Sequence, residues 1–521
     1  LHARSAWVLA VVLALGPACS ESDSGSGASV SGGDGDPGVV EASSGGEPER
    51  LAVPVQAGLA ENVLLISLDT LRSDRLQPYG YRRPTSPNLA AIADRGVLFE
   101  QARAQAPQTA PSHASLFTSS YPGVHRVINV HGPTPQMFEL PAGLTTMAEL
   151  LSGNGFQTGG FVSGGNLTRR MGMDRGFDVW DEQLTDIEDR IDRCLEWMLA
   201  PDRGRFFAFL HSYQVHAPYL PPQEFYEEFC DPAYTGRLRD RTDRYLAMPA
   251  KQAWEAAAGP VYWEGMLEYD EQDVRFLSDL YDAEVRYVDS QVRRLWEVMA
   301  SGGLLQNTIV IFLSDHGEEF MDHGKYQHDQ VFDELLHVPL IVRFPAQLEN
   351  AGFKGRVGEL VELVDVAPTV AELLGVSAAN VEWSGRSLVE LMKSVADKPH
   401  VAFSSSERPS FSELHIDPGP KIHRTVTWRG WKYIHIWQVD IDHTWEYLFN
   451  TAKDPREKRN LMSSSDADTQ RILDALQKRL EDQTVRNREA ALRVGPGGSL
   501  EVDADMLEMM RKLGYVGPED R

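Results

Sequence analysis

Basic side chains are scarce in this chain. Lys and Arg number 50 against 76 Asp and Glu, a formal balance of −26 over 521 residues. A nucleic-acid partner needs a basic face to meet its phosphates, so the shortage argues against one. It still allows a local cationic pocket for a small anion. Cysteine is scarcer, with three in all. Cys19 lies near the N-terminus, and Cys194 and Cys230 are then the only pair an oxidising compartment could join. No internal repeat is visible. A chain of this length can bury a large core, as one big domain or one with a smaller appendage.

The N-terminal apolar run, residues 6–15, is too short to span a bilayer. It follows Arg4 and leads to Gly16-Pro17-Ala18-Cys19-Ser20, the layout of a secretory signal. Small residues directly before Cys19 resemble a bacterial lipobox, in which that Cys carries lipid and becomes the mature N-terminus. Residues 20–49 are rich in Ser, Gly and Asp, a flexible tether without core-forming side chains. The reading is an exported bacterial protein, periplasmic or on the cell surface, held to the membrane through Cys19.

Two stretches read as strands buried on both faces. Residues 62–68 are an apolar run ending at Asp69, and residues 308–314 repeat the design ahead of Asp315 and His316. Between them, Gln108-Thr109-Ala110-Pro111-Ser112-His113 follows the extended run 97–105 and opens a helix, with Pro111 in its first turn. A hydroxyl there faces the positive end of the helix dipole, where an anionic ester binds well. In open α/β sheets, ligands sit beyond the carboxyl ends of strands. Strand-end carboxylates, a strand-end His and a helix-start Thr can therefore meet at one point.

The remaining pattern fits such a sheet. Helices are expected over 86–95, 144–152, 187–199, 270–299 and 364–374, with strands over 156–163, 205–211 and 338–344. His211 and His216 lie beyond the strand at 205–211. Residues 221–269 read as a long irregular insertion that shapes the substrate cleft. From about 401 the character changes: 422–428 and 431–437 alternate around Arg429-Gly430, a hairpin in a small antiparallel sheet. Helices at 469–480 and 505–513 close the chain.

Leu68-Asp69-Thr70-Leu71-Arg72-Ser73-Asp74, Thr109-Ala110-Pro111-Ser112-His113 and Ser314-Asp315-His316-Gly317 resemble the sulfatase family of the alkaline phosphatase superfamily. The match extends through Asp365-Val366-Ala367-Pro368-Thr369 and Leu448-Phe449-Asn450. The resemblance implies an α/β fold: an alkaline-phosphatase-like α/β/α sandwich with a small C-terminal antiparallel-sheet subdomain. The implied division is a signal peptide at 1–18, a tether at 19–58, a catalytic domain at 59–400 and a C-terminal subdomain with helical tail at 401–521.

The departures from the family carry as much information. Thr109 stands where the family has the Cys or Ser that becomes formylglycine, and Thr cannot yield that aldehyde. His113 replaces an Arg, Thr70 the second of two Asp residues, His316 an Asn, and His328 a Lys. Ser163-Gly164-Gly165-Asn166 stands where a Lys-Trp-His element is usual.

Together these residues imply a metal-dependent hydrolase of sulfate or phosphate esters with Thr109 as nucleophile. Asp69, Thr109, Asp315 and His316 are the expected ligands of a divalent ion, which activates a hydroxyl that is otherwise a poor nucleophile. Exchanging Asp for Thr70 and Asn for His316 favours Zn2+ or Mn2+, with Ca2+ the alternative. His113, His216 and His328 are the candidates for binding the anion and protonating the leaving group. Family likeness favours sulfate. The chemistry of an ester on Thr109, which must be released by attack at the central atom, favours phosphate. A phosphotransferase acting on surface lipids or glycans, and a catalytically inactive anion-binding surface lipoprotein, are the alternatives.

Overall fold

The computed structural model describes residues 58–128, 137–257, 265–349, 352–393, 395, 407–416 and 420–500. The expected signal, Cys19, all but the end of the tether and the helix expected at 505–513 lie outside them. Strands Asn62–Leu68, Phe206–Ser212 and Thr308–Leu313 are buried along their whole length, which is why they read as unbroken apolar runs. Alternate residues go to opposite sides. Val63, Leu65, Phe207, Phe209, Ile309 and Ile311 enter one core. Leu64, Ile66, Phe206, Ala208, Val310 and Phe312 enter the other. Two cores divided by one sheet make an α/β/α sandwich.

The sheet has eight strands, in the order Gly355–Glu362, Val97–Arg103, His337–Arg343, Thr308–Leu313, Asn62–Leu68, Phe206–Ser212, Gln157–Phe161 and Val179–Asp181. Only His337–Arg343 runs against the rest, so the other seven share a carboxyl edge. Helices Thr109–Thr118 and Val366–Leu373 supply Ala110, Phe117 and Val370 to the first core. Helices Pro87–Ala93, Ile187–Met198 and Glu271–Ser301 supply Ile92, Ile191 and Phe276 to the second.

The expected hairpin belongs to a four-stranded antiparallel sheet, Ser410–Ile416, Lys421–Trp428, Trp431–Gln438 and His443–Phe449. Its turn has positive φ at both Arg429 (51°) and Gly430 (72°), the twist-matched geometry of a two-residue hairpin. Hydrogen bonds dock this sheet on the sandwich: Ser412 Oγ donates to Ala104 O at 2.6 Å, and Phe411 N to Glu362 Oε1 at 2.9 Å. The helix expected at 469–480 runs farther, Ala467–Val494, capped by Asp466. Its later turns are mostly polar, which hid them from an apolar-period reading.

The described residues of 221–269 are not irregular. They hold helices Gln223–Phe229, Arg237–Leu246 and Ala250–Ala257, whose few buried contacts, such as Phe225, Leu238 and Tyr245, are outnumbered by charged neighbours. Cys194 and Cys230 are each buried and unbridged, so the disulfide that their pairing would supply is not formed. Among the described residues, no helix is long and apolar enough to cross a membrane.

Candidate active site

The shared carboxyl edge of the sheet collects the strand-end residues. Asp69 directly follows Asn62–Leu68, and Asp315 and His316 follow Thr308–Leu313. Thr109 is the first residue of its helix, on a strand-to-helix turn that brings it to the same edge. Its Oγ1 donates to Asp69 Oδ2 at 3.1 Å and lies 3.5 Å from His316 Nε2. All four side chains are buried.

Asp69, Asp315 and His316 each offer a ligand atom, all within 4.8 Å of one another. Three buried carboxylate oxygens, Asp69 Oδ1 and both of Asp315, have no hydrogen-bond partner among the described residues. His316 Nδ1 donates to Gly317 O at 2.9 Å, so its Nε2 lone pair faces the carboxylates, 3.5 Å from Asp315 Oδ2. Burial lowers the His316 imidazole to about 4, keeping it neutral. Burial and the adjacent Asp69 push the Asp315 carboxyl well above the usual range. Burial would also raise Asp69, but the His211 hydrogen bond and the nearby His316 and His216 hold it well below that range. Two acids crowded in low dielectric, with orphaned oxygens and a neutral imidazole, fit a divalent cation.

The loops bearing these ligands brace each other. Leu71 N donates to Ser314 Oγ at 2.9 Å, and Ser314 Oγ to His316 O at 2.6 Å. Tyr281 Oη donates to Thr70 O at 2.8 Å and accepts from Arg72 N at 2.9 Å. Thr70 is thereby held at φ 56°, a left-handed conformation uncommon for a β-branched residue and characteristic of over-determined functional turns.

The expected histidines differ in setting. His113 Nδ1 donates to Thr109 O at 2.8 Å, and its Nε2 accepts from Ser67 Oγ at 3.0 Å. Burial lowers it to about 3, so it buttresses the Thr109 turn as a neutral ring. His216 Nδ1 donates to Ala217 O at 2.7 Å, and burial lowers this imidazole too. His328 is the exception. Burial opposes its charge, yet Glu318, whose Oε1 lies 3.4 Å from His328 Nδ1, raises its affinity for a proton above the ordinary value. Its ring lies 4.6 Å from that of His316 and 5.4 Å from that of His216.

Four further residues contribute; of these, His211 was marked by its place past a core strand, and Ser67, Glu318 and Tyr219 were not singled out from sequence. His211 Nε2 meets Asp69 Oδ2 at 3.2 Å, because parallel pairing sets His211 beside Ser67. Ser67 had a signal: a hydroxyl in an apolar row, on the face that meets the Thr109 helix. Glu318 and Tyr219 pair at 2.9 Å behind His328. The only hint of Glu318 was its place three residues after Asp315.

Sandwich, strand-end acids and helix-start hydroxyl together define the alkaline phosphatase type. The chain belongs to the sulfatase family: the family model described as Sulfatase matches residues 61–376, and that for the C-terminal part of N-sulphoglucosamine sulphohydrolase matches residues 321–486. By class it is an enzyme, a sulfuric ester hydrolase. It is 25% identical to the Delta 4,5-hexuronate-2-O-sulfatase of Bacteroides thetaiotaomicron, over 89% of this chain and 96% of that one. It is 26% identical to human iduronate 2-sulfatase, over 61% and 69% of the two chains. Among solved structures it resembles one in complex with its substrate D-glucosamine-2-N,6-O-disulfate (TM-score 0.65, 20% identity, 82% of this chain and 98% of that one). It also resembles the phosphonate monoester hydrolase of Agrobacterium radiobacter (TM-score 0.62, 20% identity, 82% and 96%).

Proposed function

We propose that this enzyme hydrolyses a monoanionic ester, a sulfate monoester first of all, with Thr109 Oγ1 as the nucleophile. The observation that carries the reading is the Thr109 hydroxyl, hydrogen-bonded to Asp69 at 3.1 Å at the rim of a buried acid pair with orphaned oxygens. Asp69, Asp315 and His316 would hold a divalent ion there, with Thr109 beside it. Such an ion lowers the pKa of a hydroxyl and polarises the ester oxygens. The His316 nitrogen in the donor set favours Zn2+ or Mn2+ over Ca2+.

Asp69 Oδ2 orients the Thr109 hydroxyl, which would give up its proton to solvent beside the ion as Oγ1 attacks sulfur. The new Thr–O–S bond forms as the sulfur–alcohol oxygen bond breaks, and His328, whose proton affinity Glu318 raises, gives its proton to the departing alcohol. Water then attacks the sulfated Thr109, with neutral His328 taking the water proton. Sulfate leaves, and Thr109 is reprotonated from solvent. His113 positions the turn through Thr109 O.

Charge decides between esters. Of the three histidines considered for the anion, only His328 has a raised proton affinity; burial lowers His113 and His216. One imidazolium and one divalent ion, set among Asp69, Asp315 and Glu318, suit a single negative charge better than a phosphate monoester dianion. A phosphodiester is the second reading. Thr109 favours it, because an ester on Thr is released only by attack at the central atom, and phosphorus accepts such attack readily.

The test is kcat/KM for aryl sulfate, aryl phosphodiester and aryl phosphate on wild type and Thr109→Ala. Sulfate or diester should lead the monoester by on the order of tenfold or more, and Thr109→Ala should abolish turnover. A lead for the phosphate monoester overturns the charge argument. Unchanged turnover in Thr109→Ala overturns the nucleophile. The surrounding organisation we infer is a signal at 1–18, a tether at 19–58, a catalytic domain at 59–400 and a C-terminal subdomain at 401–521, with export and lipid attachment at Cys19.

A further inference from the structure

A cavity of about 490 Å³ opens beside the Thr109 site. His216 and Tyr213 belong to its wall and join it to the site. The His216 ring lies 5.4 Å from His328, and the Tyr213 ring 4.6 Å from His211, whose Nε2 meets Asp69. The opposite wall comes from the helical segment after Pro221, with Tyr245, Leu246, Met248 and Trp254, and from Tyr287 of the long helix.

No Lys or Arg is among the described residues that line the cavity. Its three carboxyls all serve the protein itself. Asp186 caps helix Ile187–Met198, and Asp189 accepts from Arg193 Nε at 2.7 Å. Glu284 accepts from Leu220 N at 2.8 Å and from Gln214 Nε2 at 3.0 Å; burial pushes its carboxyl up to about 8. The size is that of a small-molecule site. Aromatic and proline walls favour flat apolar rings. An anion entering would lose its hydration and meet acids instead of cations.

We propose that this cavity is the leaving-group subsite, taking an uncharged, apolar ring alcohol, aryl or alicyclic, and rejecting alcohols that carry a carboxylate of their own, as a uronate does. The inference rests on the hydrolase reading above, and it names the substrate class for that same site. Specificity then lies in the insertion helices rather than in the strand-end ligands.

The test uses full-length Thr109→Ala protein and calorimetry with two product-like alcohols, 2-naphthol and 6-hydroxy-2-naphthoate. The neutral alcohol should bind roughly tenfold or more tighter. Adding Trp254→Ala should weaken 2-naphthol several-fold, and adding Leu246→Arg should reverse the preference, with circular dichroism confirming that both variants fold. In wild type, kcat/KM should follow the same order for the two corresponding aryl sulfates. Equal or tighter binding of the naphthoate, or indifference of 2-naphthol binding to both variants, overturns the inference. The expected binding order without turnover of any sulfate or phosphate ester counts against the hydrolase reading and leaves the pocket chemistry standing.

Discussion

At the scale of single residues, the site works by giving chemically similar groups different surroundings. His113 and His328 are both buried histidines near Thr109, and each has a carboxylate oxygen at about the same distance, Asp315 Oδ2 at 3.5 Å and Glu318 Oε1 at 3.4 Å; yet both His113 nitrogens are engaged by Thr109 O and Ser67 Oγ, and burial lowers its proton affinity while Glu318 raises that of His328. Only the second is equipped to donate a proton. Glu318→Gln should therefore lower kcat by about 10- to 100-fold. The loss should be larger for substrates with poor leaving groups than for nitrophenyl esters, which need no acid. A uniform loss across leaving groups would assign Glu318 a purely structural part. The orphaned oxygens of Asp69 and Asp315 lead to a second expectation. Protein purified without added metal should carry near-stoichiometric Zn2+ or Mn2+ by elemental analysis, and Asp315→Asn should lose it. Stoichiometric Ca2+ with no transition metal would refute the assignment.

At the scale of elements, the C-terminal sheet is fastened to the sandwich by buried charge as well as apolar contact. Lys432 is fully buried and reaches Asp333 at 2.9 Å and Glu457 at 2.9 Å. Within the sheet itself, Glu413 on strand Ser410–Ile416 accepts from Arg424 Nε of the adjacent strand Lys421–Trp428 at 2.7 Å. Burial opposes its charge, but Arg424 and His415 lower it from 4.5 to about 2. The folded value lies below the unfolded one, so ionised Glu413 stabilises the fold above about pH 4.5. That contribution is lost as pH falls through about 2. A shift of this size corresponds to about 3 kcal/mol. Glu413→Gln should flatten the dependence of unfolding free energy on pH across that window, measured by urea titration. An unchanged slope would show that the carboxylate contributes nothing there.

At the scale of the whole molecule, the −26 balance and the lack of Lys and Arg among the described residues lining the cavity point the same way: in the proposed reaction, positive charge is confined to the strand-end site. The proposed export concerns the entire chain. The apolar run before Cys19 and the Ser/Gly/Asp stretch after it lead to the expectation that metabolic labelling with a fatty acid tags the wild type and spares Cys19→Ala. Equal labelling of both, or of neither, would reject lipidation while leaving export untouched.

The strands at 62–68, 205–211 and 308–314, the helix start at Thr109 and the strand-end positions of Asp69, Asp315 and His316 were legible because each is set by local pattern: buried strands are apolar throughout, and their ends bear the polar residues. The hairpin at Arg429-Gly430 was legible for the same reason. What local pattern leaves open is partnership across the chain. His211 reaches Asp69 because parallel register sets it beside Ser67. His328 differs from His113 because Glu318 is folded against it, and described residues of the 221–257 segment wall a cavity because their helices pack on Glu271–Ser301. Pairing register, burial and the distance between two charges depend on residues far apart in the chain, so the proton affinities and the shape of the pocket were decided only by the tertiary structure.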